Sequence, residues 1–122
     1  MFDLSSEEAR LLLNVALMAT GQNRFQTATK ILGTLERFRP QEQAIPEAYA
    51  ILFISMQDFQ DAVDYIDRQA LPRFPGSAML LAFKGMALLR MSRAAEARGP
   101  LEEAANQTAD PAAAQLAKDM LT

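Results

Sequence analysis

The sequence predicts an all-α fold, and three observations support that prediction. Ala, Leu, Met, Gln, Glu and Arg dominate the composition while Val and Thr are sparse, and unbranched side chains lose little rotamer freedom in a helix. Apolar residues recur at helical spacing between Gly and Pro breaks. No segment alternates apolar and polar residues as a half-buried strand does.

The breaks divide the chain into seven expected helical segments. They cover approximately residues 5–21, 24–38, 44–56, 59–70, 77–91, 92–107 and 110 to the C-terminus. In the first segment the apolar positions with helical spacing are Leu12, Val15, Ala16 and Ala19. The fourth segment is expected to end at Ala70, because Pro72 and the Phe74-Pro75-Gly76 stretch follow it.

Polar residues at the segment starts predict helix caps. Ser5 and Glu8 have the spacing of a capping box, in which side chains satisfy free backbone N–H groups. Ser77 and Ser92 are expected to cap the fifth and sixth helices, and Asp110 with the following proline starts the seventh. Pro100 lies inside the sixth helix, where it removes a backbone hydrogen bond and either kinks the helix or marks a displaced boundary.

Composition excludes several classes of function. A net charge of −3 without a basic cluster argues against nucleic-acid binding. The absence of cysteine and histidine removes thiol nucleophiles, zinc-thiolate sites and the commonest general base, and no motif for a cofactor or a catalytic centre occurs. We therefore predict a protein that is not an enzyme and that has no cofactor and no metal.

Charge and hydropathy also predict the location of the protein. Residues 1–8 carry acidic side chains where a signal peptide would carry Lys or Arg. No apolar run approaches the roughly 20 residues that a membrane span needs. The expectation is a soluble cytoplasmic protein without membrane insertion.

An internal repeat suggests how the helices are organised. Phe25-Gln26-Thr27-Ala28 and Phe59-Gln60-Asp61-Ala62 match at a separation of 34 residues, and a weaker, shifted copy occurs at 94–97. This separation is the period of the tetratricopeptide repeat (TPR), a pair of helices. Its small Ala lies where the second helix crosses the first, and Ala16, Ala50 and Gly85 occupy the matching place on the first helices.

Three degenerate repeats account for nearly the whole chain. We predict one TPR-like domain, 1–122, with repeats at about 9–42, 43–76 and 78–111 and a capping helix at 112–121. The sequence departs from the TPR pattern in lacking Trp and in having the turn Gly absent or displaced, with Gly21 two residues early.

The TPR register predicts a partner-binding groove, because the first helix of each pair lines the concave side of such a stack. Transferred positions are Arg10, Leu13, Leu17, Glu47, Ile51, Ile54, Ser55, Met79, Ala82, Met86, Leu89 and Arg90. From these we select as candidate partner-binding residues Leu13, Leu17, Ile51, Ile54, Met79, Met86, Leu89 and Arg90. The set is largely apolar, which suits an amphipathic or apolar helix.

Two features of the sequence have alternative interpretations. Met79, Met86 and Met91 either adapt the groove to a partner or fill core gaps or a dimer seam. Asp58, Asp61, Asp64 and Asp67 recur at i, i+3 spacing, which favours a solvated acidic face over a metal site, because ligands of a metal converge on a point. An acidic strip for a basic partner is the remaining interpretation.

The first two helices resemble a known family in sequence. Residues 11–24, together with Ala28 and the segment Ile31-Leu32-Gly33-Thr34-Leu35-Glu36-Arg37, are similar to the first helical pair of TPR-like type III secretion chaperones, in particular the needle-subunit chaperones. The resemblance covers residues 11–39 by sequence and most of the chain by architecture.

The resemblance implies a function. Members of that family are bacterial cytoplasmic chaperones that grip the apolar helix of a secreted, self-polymerising subunit and prevent its premature assembly, often with a second small co-chaperone. It implies that Leu13, Leu17, Ile51, Ile54, Met86 and Leu89 form the gripping surface. The alternative is a TPR-like scaffold or homodimer in a secretion or pilus assembly. A small-molecule-binding or enzymatic helical protein is a third interpretation, although the polar side chains that it would need are missing.

Overall fold

The computed structural model describes residues 4–122, and this part of the chain is helical without any strand. The expected all-α fold is therefore confirmed, while the first three residues of the acidic N-terminal segment lie outside the described part. The described helices are α1 (Ser6–Gly21), α2 (Phe25–Phe38), α3 (Ala44–Ser55), α4 (Phe59–Tyr65, continued by a π-helical segment, Ile66–Ala70, and by Leu71–Arg73), α5 (Ala78–Arg90), α6 (Ala94–Ala105) and α7 (Pro111–Leu121).

Three of the predicted helix caps form. The Ser5 side chain accepts a hydrogen bond from the Glu8 N–H, and the Ser5 N–H donates to the Glu8 carboxylate, each at 3.1 Å. Ser77 Oγ accepts from the Leu80 N–H at 3.1 Å, and the Asp110 carboxylate accepts from a backbone N–H in the first turn of α7. These side chains satisfy donors that have no partner inside the helix.

The fourth helix continues three residues beyond its expected end. Pro72 has no N–H, so it leaves the Arg68 carbonyl without its usual donor, and in an ordinary helix its ring would clash with that carbonyl. The chain avoids the clash by widening into the π-helical segment, in which the Leu71 N–H donates to the Ile66 carbonyl. The helix then ends at Arg73, where the Phe74 N–H bonds the Ala70 carbonyl at 2.9 Å.

The turns after α1, α3 and α5 share one backbone conformation. Asn23, Gln57 and Ser92 have φ values of 62°, 64° and 60°, in the left-handed region. In the first turn the Asn23 and Arg24 N–H groups donate to the carbonyls of Thr20 and Ala19, which is the Schellman pattern that ends a helix.

The expectation that Ser92 caps α6 is wrong. The N-cap residue of α6 is Arg93, which makes no side-chain cap hydrogen bond, and Ser92 is the left-handed residue that ends α5. Its N–H donates to the Leu89 carbonyl at 3.0 Å. Ser92 is therefore the left-handed residue of its turn, as Asn23 and Gln57 are of theirs.

Each left-handed turn residue is flanked by small buried residues at fixed sequence separations. The residue seven positions earlier is Ala16, Ala50 or Gly85, and the residue five positions later is Ala28, Ala62 or Ala97. A methyl group added at Gly85 would overlap the Leu101 side chain on α6. The predicted role of this glycine in the close approach of two helices is confirmed.

The chain forms two compact units, one ending at Gln57 and the other comprising Asp58–Thr122. In the first unit α1, α2 and α3 pack on one another around a core that includes Ala16, Ala28, Leu32, Leu35 and Leu52. In the second unit α5 packs against α4, α6 and α7. The boundary falls inside the second predicted repeat, and the single domain and the repeat limits stay predictions.

Candidate protein-binding surface

Three of the predicted binding residues occupy equivalent positions in the structure. Leu17, Ile51 and Met86 each lie six residues before a left-handed turn residue, on α1, α3 and α5, and each is half-buried. The preceding residue in each case is the fully packed Ala16, Ala50 or Gly85. Each of these helices therefore places a small residue in its core and an apolar side chain at the edge of that core.

In the first unit Leu13 helps to form a cleft beside α1. The cleft has a volume of about 240 Å³ and is lined by Ser6, Ala9, Arg10, Leu13, Leu35, Glu42, Ala44 and Ile45. Apolar side chains form most of its wall, and Arg10, Glu42 and Ser6 supply its polar groups. Leu13 and Leu17 are both partly buried against the core of this unit, so each side chain also contributes to the stability of the fold.

Arg39 fixes the polar edge of this cleft. Its guanidinium donates to the Leu4 carbonyl and to Ser6 Oγ, each at 3.1 Å, and forms an ion pair with Glu42 at 2.6 Å. These bonds tie the start of α1 to the loop between α2 and α3. The charge of Glu42 is thus paired with that of Arg39, while Arg10 is exposed at the same cleft.

On α3 the remaining predicted residues differ in exposure. Ile54 is half-buried like Ile51, and Ser55 is exposed at the last turn. Tyr49 lies two residues before Ile51 and is also half-buried. Burial raises the pKa of its hydroxyl, with a further contribution from the charge of Glu36.

In the second unit α5 carries a line of half-buried side chains formed by Met79, Met86 and Leu89. Ala82, which the TPR register places on the same side, is fully buried and cannot touch a partner. Each of the two methionines is thus partly packed against its own unit and partly accessible, as is Met91 after the end of the helix. Arg90 is exposed, and its guanidinium carbon lies 6.0 Å from the centre of the Phe59 ring, so this cation already interacts within its own unit.

The acidic residues of α4 differ in their partners. Asp67 falls in the π-helical segment and pairs with Lys84 on α5 at 2.7 Å. Asp64 accepts a hydrogen bond from the Gln60 amide, and Asp58 and Asp61 are exposed. Within residues 4–122 no group of three or more acidic, histidine or cysteine side chains could hold a metal ion.

Sequence reasoning missed an exposed apolar stripe on α1, formed by Leu11, Val15 and Met18. Their exposed fractions are 65%, 40% and 63%. The helix α1 is apolar on more than one side, so spacing alone does not say which side is buried. The consecutive Leu11, Leu12 and Leu13 were the available signal, since neighbouring residues point about 100° apart.

Comparison with known proteins finds no match among protein families, curated proteins or solved structures. None of the helices in the described part of the chain combines the length and the apolar character needed to cross a bilayer.

Proposed function

We propose that the protein binds an apolar or amphipathic helix of another polypeptide and acts as its chaperone. One observation carries the proposal: Leu17, Ile51 and Met86 each lie six residues before a left-handed turn residue and remain half-buried. A repeated apolar side chain at the edge of a core contributes to packing and remains accessible to a ligand. Helix-in-groove recognition uses anchors of this kind.

The proposal extends to a TPR-like arrangement of the helices. Its support is the 34-residue match of Phe25-Gln26-Thr27-Ala28 with Phe59-Gln60-Asp61-Ala62, together with the left-handed turn residues at spacings of 34 and 35. The small residues packed before and after each turn are the ones such helix pairs require. In this arrangement the partner-binding residues are Leu13, Leu17, Ile51, Ile54, Met79, Met86, Leu89 and Arg90.

The chaperone role is that of a type III secretion chaperone, which rests on the resemblance of residues 11–39 to that family. The client is then a secreted subunit that polymerises through an apolar helix, and the chaperone covers this helix in the cytoplasm, where a second small protein can join the complex. An apolar surface for a client requires no cofactor and no catalytic group.

The first test is affinity capture of the tagged full-length protein from its native cells under secretion-inducing conditions, with mass spectrometry of the bound proteins. We expect recovery of one small secreted subunit, and at least a tenfold loss of it with Leu17→Glu or Met86→Glu, because a buried unpaired carboxylate is costly at an apolar contact.

Controls separate binding from folding. Gln26→Glu on α2 and Ala95→Glu on α6 add the same charge at exposed positions and should leave capture unchanged. Circular dichroism of each variant checks that the helices persist. Recovery of the protein alone, or of partners that both groove variants retain, would replace the chaperone proposal by the alternative of a scaffold that assembles with itself.

A further inference from the structure

The stripe on the outer side of α1 lies apart from the residues of the proposed client surface. Leu11, Val15 and Met18 are separated by four and three residues, the spacing of a heptad seam, and together they form a straight apolar line along the helix. Leu17, by contrast, lies two residues from Val15, about 200° around the helix. The stripe is therefore a separate surface, and its role is independent of the proposed chaperone function.

We infer that this stripe pairs with the same stripe of a second copy of the chain, the two α1 helices running antiparallel around a two-fold axis. The stripe is complementary to itself in that orientation. Val15 faces its own copy on the axis, and Leu11 of one chain packs against Met18 of the other. Each apolar side chain thus meets an apolar side chain, as an isologous interface requires.

The charges at the two ends of α1 select the antiparallel orientation. Glu7 and Glu8 lie in its first turn, and Arg24 follows its last residues across the turn. Glu7 and Glu8 are about 10–12 Å from Val15 along the helix at 1.5 Å per residue. Reversing the second helix brings these acids to the C-terminal turn of the other α1, which Arg24 follows as the first residue after the left-handed turn. A parallel pair instead sets acid against acid and aligns the helix dipoles unfavourably.

The short length of the apolar stripe predicts a weak dimer. Beyond the three apolar residues the seam continues into Glu8 and Gln22, which are polar, so the interface has only three apolar layers. Such a contact buries well below the roughly 800 Å² per partner of a stable complex. We expect dissociation in the high-micromolar range or weaker, and a dimer that forms and separates with concentration.

Sedimentation of the full-length protein from micromolar to millimolar concentration tests the pairing. We expect a monomer–dimer equilibrium that Val15→Glu weakens at least tenfold, because two carboxylates would meet on the axis. Ala95→Glu, exposed on α6, should leave it unchanged. Glu7→Lys and Arg24→Glu should each weaken the dimer, and the two changes together should restore it. A monomer at every concentration, or a dimer that Val15→Glu does not weaken, would overturn the inference.

Cysteine crosslinking tests the orientation, and the chain has no cysteine of its own to interfere. Val15→Cys should form a disulfide-linked dimer readily, and a mixture of Leu11→Cys with Met18→Cys should form the mixed dimer. Leu11→Cys alone should link no faster than the control Ala95→Cys. Equal linking at all positions would indicate random collision, and fast linking of Leu11→Cys with itself would indicate a parallel pair; either result contradicts the inference.

Discussion

At the scale of single residues, Gly85 shows how one missing side chain sets the distance between two helices. The second unit packs α5 against α6, and the space a β-carbon at Gly85 would fill is taken by Leu101. Leu101 is almost fully buried, so it has little room to move away. Glycine at position 85 therefore lowers the helix propensity of α5 but allows the two helices to pack closely.

Gly85→Ala is accordingly expected to lower the free energy of unfolding by up to about 2 kcal/mol, because an overpacking cost of about 1–3 kcal/mol outweighs the roughly 1 kcal/mol gained from helix propensity. Urea unfolding followed by circular dichroism measures the change. Gly33→Ala is the matched control: its new β-carbon would lie 3.9 Å from the nearest atom, Tyr49 Oη, so this change should stabilise by about 0.5–1 kcal/mol. Equal effects of the two substitutions would contradict the packing argument.

At the scale of elements, the turns that end α1, α3 and α5 share a backbone shape but differ in how well their residues tolerate it. A left-handed residue other than glycine costs roughly 1–2 kcal/mol, and asparagine tolerates the conformation better than other side chains. The three turns place Asn23, Gln57 and Ser92 there. The turn geometry is thus set by the helix ends and their packing rather than by the preference of the turn residue.

Gln57→Gly is expected to raise the free energy of unfolding by about 1 kcal/mol, because it removes the steric cost of the left-handed conformation. Asn23→Gly should gain only a few tenths of a kcal/mol, because asparagine already accepts that conformation. Thermal unfolding of both variants compares the gains directly. A larger gain at Asn23 than at Gln57 would show that the turn residues do not limit stability in this way.

Pro100 is a second element-scale conflict between local preference and the fold. α6 runs without interruption from Ala94 to Ala105, so the proline neither ends the helix nor marks a displaced boundary. Without an N–H at this position, the carbonyl four residues earlier, on Glu96, lacks its normal helical donor. The packing of Ala97, Leu101 and Ala104, all buried, keeps the helix formed despite that loss.

Pro100→Ala should raise the free energy of unfolding by about 1–2 kcal/mol: restoring the hydrogen bond and removing the ring clash together gain up to about 3 kcal/mol, and the greater entropy of the unfolded chain offsets part of this gain. Pro111→Ala provides the control, because a first-turn residue needs no N–H donor. It should leave stability unchanged or slightly reduced. The measurement is chemical unfolding at equilibrium, and a gain at Pro111 as large as that at Pro100 would contradict the account.

At the scale of the whole molecule, α1 serves two proposed surfaces at once. Leu13 and Leu17 face the proposed client, and Leu11, Val15 and Met18 form the stripe proposed to contact a second copy. Side chains two positions apart do not share a helix face, so the two interactions can be separated by mutation.

The two surfaces should respond independently to equal charge changes. Leu17→Glu is expected to reduce client capture while leaving the concentration dependence of sedimentation unchanged, and Val15→Glu is expected to do the reverse. Capture and sedimentation of both variants, each checked by circular dichroism, provide the comparison. Loss of both properties in a variant that keeps its helices would mean that self-association and client binding use one surface.

Much of the local structure could be predicted from the sequence. The all-α class, the helix starts at Ser5, Ser77 and Asp110, and the role of Gly85 depend on local hydrogen bonding and on residue size, which are written in the sequence itself. The end of α4 and the role of Ser92 were predicted wrongly. At the end of α4 a π-helical segment provides an alternative backbone hydrogen bond, and at Ser92 a left-handed turn does so.

The sequence by itself determined which segments are helical, because helix propensity, capping and proline act over a few residues. Only the tertiary structure decided which side of an apolar helix is buried. α1 has leucines on several sides, and its core face was chosen by the fit of Ala16 and Ala19 against the neighbouring helices, which leaves Leu11 and Met18 exposed. That choice depends on partners distant in the chain, and it separates the proposed client surface from the proposed dimer stripe.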